Sequence, residues 1–220
     1  MVGVTAEQVE AGQAVYTKRT LALYDLVVLG VSNRVAWHCP TRRVEEHYNQ
    51  HVTDNHLDVG VGSGYFLDRC RFPSPAPRIT LLDLNGDALA FASRRIARYR
   101  PRTYRRNVLE PISLNGEAFD SVGISYLLHC LPGSIESKAV ALDHLKAVMK
   151  PKAILFGATL LQGGVTPNWF ARRLMAFYNK KAIFSNRDDH LDGLERALGE
   201  RFRDVSVEVV GCAALFSGRV

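Results

Sequence analysis

The chain has 220 residues, 47% of them hydrophobic, with a formal net charge of +6. That is enough for one well-buried domain, too little for two of ordinary size, and it contains no run of about eighteen apolar residues that would span a bilayer. The charge excess is local, with Arg94, Arg95, Arg98, Arg100, Arg102, Arg105 and Arg106 close together, and Cys39, Cys70, Cys130 and Cys212 have neither metal nor disulfide spacing. A cytoplasmic protein with reduced thiols and no metal is expected, with no membrane partner.

From Glu7 to Gly30 the apolar residues Val9, Val15, Leu21, Leu23, Leu26, Val27 and Leu29 fit one or two helices, with Tyr16 and Tyr24 among them. The stretch from Val31 to Pro40 is rich in functional side chains for a connector, notably Trp37 and His38. Thr41 is placed to cap a helix that runs to about His51 and carries Val44 and Tyr48 on one face. His47, His51 and His56 read as surface or cap residues, and His38 as a substrate contact.

At His56 to Phe66 the chain reads His-Leu-Asp-Val-Gly-Val-Gly-Ser-Gly-Tyr-Phe. A short buried strand would end here and give way to Gly60, Gly62 and Gly64. Glycines at that spacing permit a sharp turn with positive φ, leaving main-chain N–H groups open to a ligand. The pattern is G-x-G-x-G, with Tyr65 where a dinucleotide fingerprint needs its last glycine. Asp58, two residues before the turn, is placed to accept hydrogen bonds from an ammonium group or from the loop itself.

The run Ile79-Thr-Leu-Leu-Asp-Leu-Asn reads as a second strand ending at Asp83, whose carboxylate could hold the two ribose hydroxyls of an adenosine. Strands are predicted near 56–60, 79–83, 102–107, 119–125 and 152–160, with helices near 64–71, 86–98 and 134–149. This regular alternation implies a parallel sheet with right-handed crossovers. Thr166-Pro167 starts a helix that runs to about Lys181, in which Phe170, Leu174 and Phe177 are expected to pack in the core. Asn186 with Asp189 suggests a further capped helix. The tail, Val205 to Phe216 about Gly211, reads as a closing antiparallel hairpin.

Asp58 with the glycine turn, Asp83, the stretch Ala118 to Gly133 with its Leu-His and Leu-Pro pairs, and Leu145-Lys-Ala-Val-Met-Lys-Pro resemble the ordered motifs of class I S-adenosylmethionine-dependent methyltransferases of the small-molecule type. The resemblance spans roughly residues 55–160. It implies an α/β, doubly wound Rossmann-like fold: a mostly parallel seven-stranded sheet with an antiparallel C-terminal hairpin. One methyltransferase domain would cover 1–220, with an N-terminal helical cap over 1–52 and a cofactor-binding core over 53–220.

The implied cofactor is S-adenosyl-L-methionine, held by Asp58, Gly60, Gly62, Gly64, Asp83, Leu84, Asn107, Val108 and Ser125. Asn107 departs from the acidic residue common at the end of the third strand, and Lys152-Ala153 replaces a glycine pair at a turn. The acceptor would be bound by Tyr16, Tyr24, Trp37, His38, Trp169 and Arg173, and His129 is the best-placed base. The expected activity is methyl transfer to O, N or C of a small metabolite, mainly by proximity and orientation, in a monomer or homodimer. Two rivals are an RNA or protein methyltransferase using the arginine-rich 94–106 edge, although little aromatic interleaving accompanies those arginines, and a catalytically inactive cofactor-binding partner protein.

Overall fold

The computed structural model describes residues 32–220. Tyr16 and Tyr24 lie outside the described residues. Seven strands, β1 (Asn55–Val59), β2 (Arg78–Asp83), β3 (Arg102–Arg105), β4 (Phe119–Ser125), β5 (Met149–Leu160), β6 (Arg203–Val210) and β7 (Ala213–Arg219), form one sheet. Their order is β3-β2-β1-β4-β5-β7-β6. The first five pair in parallel, and β7 runs antiparallel to both β5 and β6. The chain winds outward from β1 to β3 and then returns to β4 beside β1. That reversal opens a crevice at the carboxyl ends of β1 and β4, the place where doubly wound sheets bind ligands.

Among the described residues a short helical turn, Asn33–Val35, precedes the helices α1 (Thr41–His51), α2 (Tyr65–Arg69), α3 (Gly86–Arg95), α4 (Ile135–Lys138), α5 (Val140–Lys146), α6 (Trp169–Lys180) and α7 (Leu191–Gly199). Because successive strand residues point to opposite faces, Leu57 and Val59 of β1 enter the apolar layer that includes Leu142, Leu145 and Leu194. His56 and Asp58 point the other way, toward Tyr48 of α1. On that face Val44, Tyr48, Leu67, Ala92, Phe156 and Met175 form the second layer. Each aliphatic side chain fully buried in these layers contributes about 1.5–3 kcal/mol.

Several expectations about element ends change. Thr41 is the first residue of α1 and its hydroxyl accepts from Asn33 Nδ2 at 3.1 Å, while Pro40 precedes the helix without a side-chain cap. α6 is capped by Asn168, which accepts from the Ala171 N–H at 2.7 Å, so Pro167 stands outside it. α7 begins at Leu191 after His190, and Asn186 and Asp189 are buried cross-links instead of caps. The helix expected over 134–149 is broken into α4 and α5. Lys152, standing where the resemblance places glycine, has φ of +67°.

Burial differs as well. His56 is fully buried because β1 is a central strand covered on both faces, and His47 is held in the core by a 2.9 Å contact with the Phe216 carbonyl. Phe170 and Phe177, expected inside, are 46% and 52% exposed, because α6 turns Ala171 and Met175 to the core instead.

Candidate active site

The crevice beyond β1 and β4 is lined by Asp58, the 59–67 turn, Asp83 and Leu84 at the end of β2, the 106–108 stretch after β3, and residues 125–127 with 130–132 at and beyond the end of β4. The three glycines of the turn have φ of +70°, +50° and +71°, a region open to glycine at little cost. Gly60 N–H donates to the Leu82 carbonyl at 2.9 Å. A Cβ at Gly60 would lie 2.9 Å from Leu127 Cδ2, and one at Gly64 would lie 3.1 Å from Ala92 Cα, so both positions need a bare backbone. At Gly62 a Cβ would meet nothing within 4 Å.

Asp83 closes this turn from below. Its carboxylate accepts the Asn85 N–H at 2.8 Å and is hydrogen-bonded by the main chain of Val61 and Gly62. Burial pushes its pKa up to about 6, against the lowering effect of these hydrogen bonds. Asp83 is thus both part of the lining and a brace for the glycine turn.

Asn107 and Val108 also line the crevice, but the Asn107 amide is committed to its own turn. Its Oδ1 accepts from Leu109 N–H at 3.1 Å and its Nδ2 donates to Glu110 at 3.0 Å. The Val108 carbonyl is in turn 3.0 Å from His144 Nδ1. What this stretch presents to a ligand is therefore chiefly main chain. Ser125 sits at the far side, next to the Tyr48 hydroxyl.

His129 is not in the lining. It is buried under it, with Nδ1 accepting from the Leu160 N–H at 3.3 Å and its ring 4.5 Å edge-on from Phe184. Burial, with a smaller contribution from Lys138, pushes its pKa down to about 3. An imidazole so reluctant to hold a proton is a poor general base at neutral pH, and its contacts are those of a packing and hydrogen-bonding residue. The segment below it is locked by Lys138. Nζ reaches Asp189 at 2.7 and 2.8 Å and the Ser185 carbonyl at 2.5 Å, with both ionic side chains fully buried. Burial raises the Asp189 pKa to about 6 and lowers that of Lys138.

The expected acceptor contacts among the described residues do not converge on the crevice. Trp37 is a core residue, 6.1 Å from Phe184, its carbonyl taken by the Cys212 N–H at 2.8 Å. His38 is exposed and contacts Asn168 at 2.8 Å. Trp169 is 64% exposed, with the Arg173 guanidinium 5.1 Å above its ring on the outer face of α6. The lining instead takes Tyr48 from α1, Tyr65, and Tyr126, which has φ of +59°. Of these, Tyr48 carried only the signal of an amphipathic helix position.

The arginine-rich edge is partly consumed locally. Arg95 and Arg98 pair with Asp68 at 3.5 and 2.5 Å, Arg102 pairs with Glu117, and Arg105 donates to the Leu84 carbonyl at 2.9 Å. No group of three or more potential metal ligands occurs among the described residues. No helix among them is long and apolar enough to cross a membrane.

Comparison with known proteins agrees with this geometry. A methyltransferase-domain family matches residues 57–155. Demethylluteothin O-methyltransferase of Streptomyces thioluteus is 43% identical over 210 residues, 96% of this chain and 91% of its own. Physcion biosynthesis cluster O-methyltransferase of Aspergillus chevalieri is 38% identical over 209 residues, 94% of each chain. Among solved structures, the DhpI–SAH complex superposes with a TM-score of 0.68 at 13% identity, covering 99% of this chain and 98% of that one. An O-methyltransferase family protein from Burkholderia thailandensis also gives 0.68, at 18% identity, covering 93% and 60%. The glycine turn that side chains would fill, braced by Asp83 and bordered by Asp58, fits the adenosyl cofactor used by this family. The chain belongs to the class I S-adenosyl-L-methionine-dependent methyltransferases that act on small molecules.

Proposed function

We propose that the protein methylates the oxygen of an acidic hydroxyl, phenolic or enolic, on a small molecule. The observation that carries the choice of oxygen is its likeness, along nearly the whole chain, to relatives named O-methyltransferases. S-adenosyl-L-methionine supplies a methyl group already activated by its sulfonium sulfur. The main chain at Asn107 and Val108, with Leu84 and Asp83, would hold the adenosine end. Gly60, Gly62 and Gly64 would pass beneath its middle, and Asp58 with Ser125 would meet the amino-acid end.

On this reading the protein's work is orientation and exclusion of water, which can supply up to about 7–11 kcal/mol of a barrier. The acceptor oxygen would take the methyl group that the cofactor supplies, with the thioether as leaving group. The acceptor's proton would leave to solvent, since burial pushes the His129 pKa down to about 3 and the Cys130 thiol up to about 12. That is why the hydroxyl is taken to be acidic.

The test is transfer of labelled methyl to a panel of one skeleton bearing a phenol, an enol, an aliphatic alcohol or an amine. Labelled ether from the first two supports the proposal, and a methylated amine or carbon as the main product overturns it.

A further inference from the structure

Asp58 stands at the end of a chain of polar groups that the crevice itself does not require. The Tyr48 hydroxyl donates to Asp58 Oδ1 at 2.8 Å. His56, on the same face of β1 and fully buried, has Nε2 3.6 Å from that same oxygen and no hydrogen-bond partner for it. Its Nδ1 lies 2.9 Å from Ser121 Oγ of β4. Ser121 Oγ accepts the Thr53 N–H at 3.0 Å and lies 2.8 Å from the Thr53 hydroxyl, which reaches the Asn55 carbonyl at 3.3 Å. With the Thr53 hydroxyl donating across the shorter, 2.8 Å contact to Ser121 Oγ, which also accepts the Thr53 N–H, the Ser121 hydroxyl is left to donate to His56 Nδ1. That places the imidazole proton on Nε2, facing Asp58.

Space is kept for this arrangement. A Cβ at Gly123 would come 2.9 Å from Asp58 Oδ1 and 3.1 Å from His56 Cε1. Phe156 and Tyr48 close the His56 ring off from water, with centroids 5.7 and 6.5 Å away. Both contacts of the carboxylate fall on Oδ1, and Asp58 lines the crevice, so Oδ2 is the oxygen left for a ligand.

We propose that Tyr48 and His56 are positioning residues for the cofactor: the Tyr48 hydroxyl bonds Asp58 Oδ1, the His56 N–H, its tautomer set by a relay from Thr53 and Ser121, faces the same oxygen, and together they turn Oδ2 toward the ammonium of the cofactor's amino-acid end. Burial keeps the Tyr48 phenol protonated, as a donor must be. Charged hydrogen bonds of this kind are strong only when their geometry is held, which is what a preset pair of donors supplies.

The inference rests on the cofactor assignment, and the test separates the two. S-adenosylhomocysteine and 5′-deoxy-5′-methylthioadenosine share the adenosine and thioether, but only the first has the ammonium. Titration calorimetry of Tyr48→Phe and His56→Leu should show S-adenosylhomocysteine binding weakened about tenfold or more, the scale of a hydrogen bond to a charged group, with methylthioadenosine binding unchanged. His56→Gln, which keeps an N–H near the same place, should recover part of the loss. Equal loss for both ligands, or loss for neither, overturns the proposal. Should Tyr48→Phe fail to fold, the two His56 variants decide it alone. No binding of either ligand by the wild type would instead overturn the cofactor assignment.

Discussion

The two sides of the crevice are built differently. The glycine-turn side is one short stretch, Asp58 to Gly64, shaped by backbone angles that glycine alone adopts cheaply. The opposite side, residues 126–132, is held from behind by groups remote in sequence: Lys138, Ser185, Asp189 and the Leu160 N–H. One side is fixed by what the chain lacks at three positions, the other by buried polar bonds that meet only after folding. The first kind of construction fails by strain and the second by unpaired charge, and the two failures differ in size.

The largest effect should come from the side opposite the glycine turn. Lys138→Met leaves Asp189 buried without its cation, a change that costs about 3–5 kcal/mol when one partner of a buried pair is removed. Urea unfolding should show that loss, and adding Asp189→Leu should restore much of it. If the single and double variants are equally destabilised, packing and not the unpaired carboxylate is the cause, and the contrast between the two sides weakens.

Next is Gly60→Ala. Left-handed backbone costs about 1–2 kcal/mol for an L residue, and crowding against Leu127 adds about 1–3 kcal/mol. The combined loss, about 2–5 kcal/mol, should divide between stability and S-adenosylhomocysteine affinity, read by thermal melting and calorimetry. Unchanged affinity in a folded variant would mean that the turn is not the cofactor's seat.

His129→Gln should be milder. Turnover should fall by less than about a hundredfold, below what loss of a general base usually brings. Stability gives a second readout. Folded His129 takes a proton only near pH 3, whereas the unfolded side chain takes one near about 6.5. The unfolded state therefore binds more protons between those values, and stability falls as pH drops through the window. Asp83 and Asp189, raised to about 6, contribute the opposite slope between about pH 4 and 6. The variant-minus-wild-type difference isolates the histidine: a flatter acid limb is expected, and an unchanged one would contradict its burial as neutral imidazole.

These cases also show what could be read from the sequence. The alternation of strands and helices, the closing hairpin, the glycine turn and the strand-end place of Asp83 were legible because each depends on local pattern: alternation, glycine spacing, and a carboxylate at a strand end. Trp37, Trp169 and Arg173 lie away from the crevice lining, because residue type does not reveal which face of a helix or connector meets the sheet. His56 read as a surface residue because a lone histidine carries no sign of burial. Its partners, Tyr48 and Ser121, come from a preceding helix and from a strand 65 positions later. Asn107 shows a subtler limit, since its place at the crevice was correct while its amide is used up in the turn at 107–110.

The smallest effect sharpens the comparison most, because it removes one of the two terms acting at Gly60. Gly62 shares the left-handed backbone, with φ of +50°, but a Cβ there would meet nothing within 4 Å. Gly62→Ala should therefore cost only the strain, about 1–2 kcal/mol, and the new methyl should not push on Leu127. The Gly62 main chain also bonds the Asp83 carboxylate, so any shift of the backbone to relieve strain would be felt there. If the alanine settles without moving, stability falls slightly and S-adenosylhomocysteine affinity stays within about threefold of wild type, a change under about 1 kcal/mol. An affinity loss equal to that of Gly60→Ala would mean that the cofactor occupies the space above Gly62 and that crowding by the ligand, not by Leu127, makes this turn intolerant of side chains.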